Sequence, residues 1–189
     1  MQFFEPPPRS GQRDEPKMPD WFGPPADELG VGLPLRTLLA RSDRCALALA
    51  GLVAYSTGFE LGLNMRLRDV DPWIDPFGNR QGPPWERYGS GPLPDDLFRI
   101  GLQLADGTKA TSLDRPTMPD QPAPRARLQL SGGGGGRRWD FHIWMWPVLR
   151  DPPNFLVLEW PALGIEQTRF ELPTDELKAA CQLSSSIWT

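Results

Sequence analysis

Alternation of apolar and polar residues with a period of two dominates the readable parts of the chain. Over residues 59–68, Phe59, Leu61, Leu63, Met65 and Leu67 hold one parity, and Glu60, Gly62, Asn64, Arg66 and Arg68 hold the other. Side chains two apart share a strand face, so this run predicts an antiparallel strand buried on one side. The run before it, 45–55, sets Leu47, Leu49, Val53 and Tyr55 against Ala46, Ala48, Ala50, Leu52 and Ala54, and Ser56-Thr57-Gly58 joins the two runs as a hairpin. The small alanine face implies close approach by another body. Further strands are expected over 33–40 at a sheet edge, 98–104, 108–112 after an Asp106-Gly107 turn, 127–130, 139–146, 154–160 and 168–172.

The stretch 132–146 is unusual because five glycines lead into the single histidine and three tryptophans. Trp139, Phe141, Ile143 and Met145 fall on one face; Asp140, His142, Trp144 and Trp146 fall on the other. Bulk on both faces predicts a central strand covered on both sides, or one with a ligand-facing side. The glycines read as a flexible hairpin connection rather than a phosphate cradle, since no helix follows and the lysine and hydroxyl of a phosphate loop are missing. Arg137 and Arg138 after them are candidates for contact with an acidic partner.

Helical spacing is confined to the C-terminus. Thr174 is placed to cap a helix opened by Asp175 and Glu176, with Leu177, Ala180 and Cys181 on one face. Eight to nine strands and one terminal helix predict an all-β antiparallel sandwich. Frequent chain breaks, from 23 Pro and 19 Gly in 189 residues, support strands over long helices. The expected organisation is a Pro-rich extended arm over 1–33, a sandwich domain over 34–172 and a helix with tail over 173–189. The aromatic pairs of the arm, Phe3-Phe4 and Trp21-Phe22, either dock on the domain or serve a partner.

The run 69–96 has no period but carries Trp73, Phe77, Trp85, Tyr88 and several carboxylates, and loops of that length are characteristically functional or disordered. Successive antiparallel strands reverse direction, so connections alternate between the two ends of the sheets. Counted along the predicted order, 42–44, 69–96, 113–124 and 147–153 gather at one pole, and the short turns 56–58, 106–107, 132–136 and 161–165 gather at the other. The long-loop pole is the expected binding surface, with Asp69, Asp71, Trp73, Asp75, Trp85, Tyr88, Arg150 and Asp151 as its residues. His142, Trp144, Trp146, Arg137 and Arg138 form a second candidate group.

Charge and candidate chemistry narrow the function classes. A net charge of −4 without clustered Lys and Arg gives no electrostatic basis for nucleic acid or a membrane surface. The N-terminal residues lack a secretory pattern and no run is long enough to span a bilayer, so the expected location is cytoplasmic. The two cysteines, Cys45 and Cys181, form no disulfide framework or metal motif and read as buried hydrophobes. Asp69, Asp71, Asp75 and Asn79 superficially resemble a calcium loop, but Trp73 occupies a ligand position and the glycine and terminal glutamate are missing. His142 with Asp140 two residues away could act as a base and its orienting carboxylate, yet no nucleophile elbow or second histidine completes the set; Ser131 lies beyond the glycines.

No cofactor or metal is expected, and the balance leans away from an enzyme. The leading expectation is an interaction or structural module that binds a protein partner through the long-loop pole, the arm, or both. A carbohydrate-binding module using the tryptophan face is the alternative, with an unrecognised hydrolase third. Oligomeric state is not legible from sequence.

Overall fold

The computed structural model describes residues 18–70, 95 and 97–188 of the chain. In chain order its strands are β1 (Glu28–Leu29), β2 (Val31–Leu33), β3 (Thr37–Arg41), β4 (Cys45–Ala54), β5 (Phe59–Leu67) and β6 (Arg99–Gln103). They continue as β7 (Lys109–Thr111), β8 (Arg127–Gly135), β9 (Arg138–Trp146), β10 (Phe155–Trp160) and β11 (Ile165–Glu171). The helix α1 (Thr174–Leu183) and the short β12 (Ser185–Ser186) follow.

Two antiparallel sheets carry the fold. The larger runs β2–β4–β5–β9–β8, with β3 also pairing along β4, and the smaller runs β11–β10–β6–β7. Their apolar faces meet in one core, making an all-β sandwich with a short C-terminal helix. The alternating parities explain this directly: Leu61, Leu63, Met65, Phe141, Ile143 and Met145 are buried from the larger sheet, as are Ile100, Leu102, Leu156, Leu158 and Trp160 from the smaller. Phe98 bridges the layers, its ring 5.7 Å from Phe141 and 5.2 Å from Trp160. Each such side chain removed from water contributes roughly 1.5–3 kcal/mol, so this face-to-face contact is the main stabilising term.

Three local expectations are corrected. In β4, Leu49 pairs with Leu63 but Gly51 pairs with Gly62, a bulge that puts two residues against one. Parity inverts there, so Leu52 and Ala54 enter the core while Val53 and Tyr55 are only half-buried. In β8 the strand does not stop near Leu130; the glycines pair on to Gly135 opposite Arg138. Thr174 is the first helical residue rather than a cap, with no side-chain bond to the helix N-terminus. The buried Asn154 amide instead donates to its hydroxyl at 3.0 Å, and that hydroxyl donates to the Leu172 carbonyl. Leu177, Ala180 and Cys181 face inward as predicted, where α1 packs against β2 and β4.

The arrangement of the two poles also differs from strict alternation. One end, the tip pole, holds the 42–44 turn, the exit of β5, the β8–β9 turn and the 161–164 turn. The Leu67 N–H donates to the Arg137 carbonyl, the Arg68 N–H to Arg44, and the Ser42 hydroxyl to Leu163. Asp95 joins them, its carbonyl accepting from the Ala162 N–H. The other end, the helix pole, holds the 55–58 turn, the 104–108 turn, the 147–153 connection and α1. The Asn154 side chain accepts from the Ala105 N–H, Lys178 donates to the Arg150 carbonyl, and the Cys181 thiol points to the Gly58 carbonyl. The single cause is the connection 112–126. Thr111 lies level with Gly101 towards the tip pole, whereas β8 starts with Arg127 opposite Trp146 at the helix pole. That crossing makes β7 and β8 run the same way and inverts the placement of every later turn. Among the described residues, no helix is long and apolar enough to cross a membrane.

Candidate functional site

Arg150 and Asp151 therefore lie at the opposite end of the sandwich from Asp69, and the surface expected to unite them is split. Asp71, Trp73, Asp75, Phe77, Asn79, Trp85 and Tyr88 lie outside the described residues. Their roots are placed: Asp69 and Val70 leave β5 at the tip pole, and Asp95 re-enters there. At the helix pole, Arg150 and Asp151 share a cleft of about 440 Å³ with Trp146, Leu104, Asp106 and Arg125. Trp146, from the second candidate group, thus joins two residues of the first. A hydrogen bond from the Thr108 backbone N–H, with a weaker pull from Arg125, holds the Asp106 carboxyl below its usual range.

The outward face of the larger sheet separates the remaining candidates. Trp144 is 4% exposed, and Trp21 of the N-terminal segment accepts its indole N–H on the backbone carbonyl at 3.2 Å. Tyr55 meets Trp144 edge-on at 5.9 Å. The Arg127 guanidinium closes the plug, 5.1 Å from the Trp21 ring and 4.6 Å from Phe22, while donating to the Thr117 carbonyl and to Gln129. Burial pushes the Arg127 guanidinium below its ordinary range, yet it stays charged, and π faces and oxygens replace its water. A sugar ring therefore has no access to Trp144. A cover of Trp144 by the arm or the terminal helix is the simpler expectation from sequence, and the arm meets it; which arm residue does so is not legible, because nothing in sequence links position 21 to position 144.

His142 does not pair with Asp140. Its Nδ1 lies 2.9 Å from Glu60 Oε1 on the adjacent β5, a diagonal neighbour since Gly62 stands directly opposite His142. Ser131, opposite His142 on β8, donates to the His142 carbonyl at 3.2 Å. Asp140 instead receives Arg138, Arg66 and the Asn64 amide, at 2.9, 3.2 and 2.8 Å. The Arg138 hydrogen bond is the main cause of its lowered carboxyl pKa. The base and orienting carboxylate that the spacing allows are not formed; a His142–Glu60 pair and a separate Asp140 cluster stand in their place on the outward sheet face. Glu60 was missed because cross-strand register is invisible in one sequence.

Small residues do floor this face: Ala46, Ala48 and Gly62 are half-exposed, and nothing but the neighbouring bulge lies near the space above Gly62. Beside it, β8 ends the sheet with a run of exposed glycines. Arg137, at the turn, reaches Asp69 at 3.7 Å, with both side chains largely in water. The fold and these surfaces define an all-β sandwich with separated polar and edge surfaces. Compared with protein-family models, curated proteins and solved structures, the chain matches none of them.

Proposed function

We propose that this protein is a non-enzymatic interaction module that binds a protein partner through the tip pole. The observation that supports the reading is the rooting of the aromatic segment 71–94. Both its ends leave rigid structure at one pole, beside the exposed Arg137 and Arg138. Trp73, Trp85 and Tyr88, which sequence marks as surplus aromatics, belong to that segment, and aromatic side chains are the usual anchors of a protein interface. The N-terminal segment contributes less to this surface, because Trp21 and Phe22 are engaged within the fold. A cytoplasmic setting belongs to the same reading, supported by two buried cysteines that remain free thiols.

Capture from native-cell lysate, followed by re-binding of the purified partner, tests it. The Trp73→Ala/Trp85→Ala double variant should melt as the parent does yet lose at least about tenfold in affinity, the scale of an aromatic hot spot. A double variant that captures the partner undiminished removes these tryptophans, and a bait that retains no protein at all overturns the module reading.

A further inference from the structure

The outer edge of β8 is an open strand edge of the larger sheet. This strand ends the larger sheet and pairs only with β9, so alternate N–H and C=O groups along it point away from the sheet. Residues Ser131 to Gly136 are all exposed. Among the described residues, no backbone hydrogen bond from another segment closes this part of the edge. Proteins ordinarily guard such an edge with lysine, proline, an inward charge or a bulge. Over Ser131–Gly135 none of these devices is present.

The glycines also determine what could fit. Above Gly133 and Gly135 there is open space, with no atom within 4 Å of where a Cβ would stand. An added strand could therefore lay a large side chain over the bare backbone, as aromatic residues do when they cover edge glycines. At the tip end of the edge stand Arg137 and Arg138, with 63% and 68% of their side chains exposed. Arg138 is engaged by Asp140, but the Arg137–Asp69 contact is a long, solvated pair that contributes little. A second copy of this chain is a poor occupant. Antiparallel self-pairing over Ser131–Gly135 would set Arg137 of each copy opposite Gln129 of the other, which offers it no carboxylate.

Resting on the reading as an interaction module, we propose that the free edge of β8 over Ser131–Gly135 is a strand-addition site for an extended acidic peptide segment of a partner protein. Main-chain hydrogen bonds supply the affinity, an aromatic side chain lies over Gly133 or Gly135, and a carboxylate meets Arg137. No covalent step is involved.

The probe is a phage-displayed random peptide library selected on the immobilised full-length chain. Enriched sequences should combine a carboxylate with an aromatic residue, and a synthetic copy should slow amide exchange at Gly132–Gly135. N-methylation at alternate peptide residues, but not at the interleaved ones, should weaken binding by about tenfold or more, as should Arg137→Glu, the scale of one lost charge-assisted hydrogen bond. Peptides that protect other amides, or a library that yields no binder, would overturn the edge assignment and leave the module reading standing. Concentration-dependent dimerisation that slows amide exchange at Gly132–Gly135 and is competed by the selected peptide would overturn it in favour of a second copy. If native-lysate capture returns no partner while selected peptides still seat on β8, the module reading fails and the edge assignment survives.

Discussion

Trp21 shows how one side chain converts a flexible-looking segment into part of a folded surface. It is 6% exposed, accepts the Trp144 indole N–H on its backbone carbonyl, and lies beneath the Arg127 guanidinium. Trp21→Ala removes the ring from Arg127 and Phe22 and leaves the Arg127 charge facing a gap, while the backbone carbonyl that accepts the Trp144 indole N–H remains. The expected loss is about 3 kcal/mol of unfolding free energy, from the cavity and the lost ring contacts together. Urea titration followed by far-UV circular dichroism measures it. Trp188→Ala is the matched control: its ring is 74% exposed, and the change should stay within about 0.5 kcal/mol. The docking aromatic was legible as an apolar pair in a polar, Pro-rich stretch. Its receptor was not, because residues 123 apart in sequence meet only through the packing of β9 and β8.

Among the elements, the glycine-rich half of β8 has the sharpest sequence requirement. A Cβ on Gly134 would strike the Arg138 carbonyl and lie 2.6 Å from the Trp139 Cα, both fixed backbone of β9. A Cβ on Gly133 would enter empty space. Gly134→Ala should therefore destabilise by about 1–3 kcal/mol through overpacking. Gly133→Ala should be neutral or stabilise by up to about 1 kcal/mol, since it restricts the unfolded chain without a clash. Thermal melts of the two variants side by side check this, and equal losses would show that the glycines act only through flexibility. Sequence suggested a loose connection because glycine disfavours strands. What overrides that propensity is close backbone approach between β8 and β9, which glycine alone tolerates at alternate positions.

For the molecule as a whole, Glu28 ties together parts that the two sheets leave separate. From β1 its carboxylate accepts the Ser56 N–H at 2.9 Å, the Ser56 hydroxyl, and the Ser184 hydroxyl at 3.1 Å. It thus joins the β1–β12 ribbon, the β4–β5 turn and the end of α1. Burial pushes the Glu28 carboxyl up, but these hydrogen bonds outweigh burial and leave it below its ordinary range. A carboxyl lowered in the folded state binds fewer protons there than in the unfolded chain. Its contribution is therefore present above the unfolded value and is lost as pH falls through the folded one. The urea midpoint should fall between about pH 6 and about pH 3. Glu28→Gln should lower the midpoint at the upper pH and make the acid-induced fall shallower. An unchanged slope in the variant would show that other carboxylates, such as Asp140, carry the acid dependence.

The sequence by itself determined the sandwich, the inward face of β5, the two parities of β9 and the inward face of α1, because side-chain period is a local property that a strand or helix carries with it. Tertiary structure alone decided which turns share a pole, since the crossing of 112–126 depends on which sheet each strand joins. It also decided that Trp144 donates to the Trp21 carbonyl, that His142 meets Glu60 rather than Asp140, and that β8 is an edge. Those facts follow from pairing and register between distant segments, and a one-residue bulge such as that in β4 shifts them without disturbing the hydrophobic pattern that announces the strands.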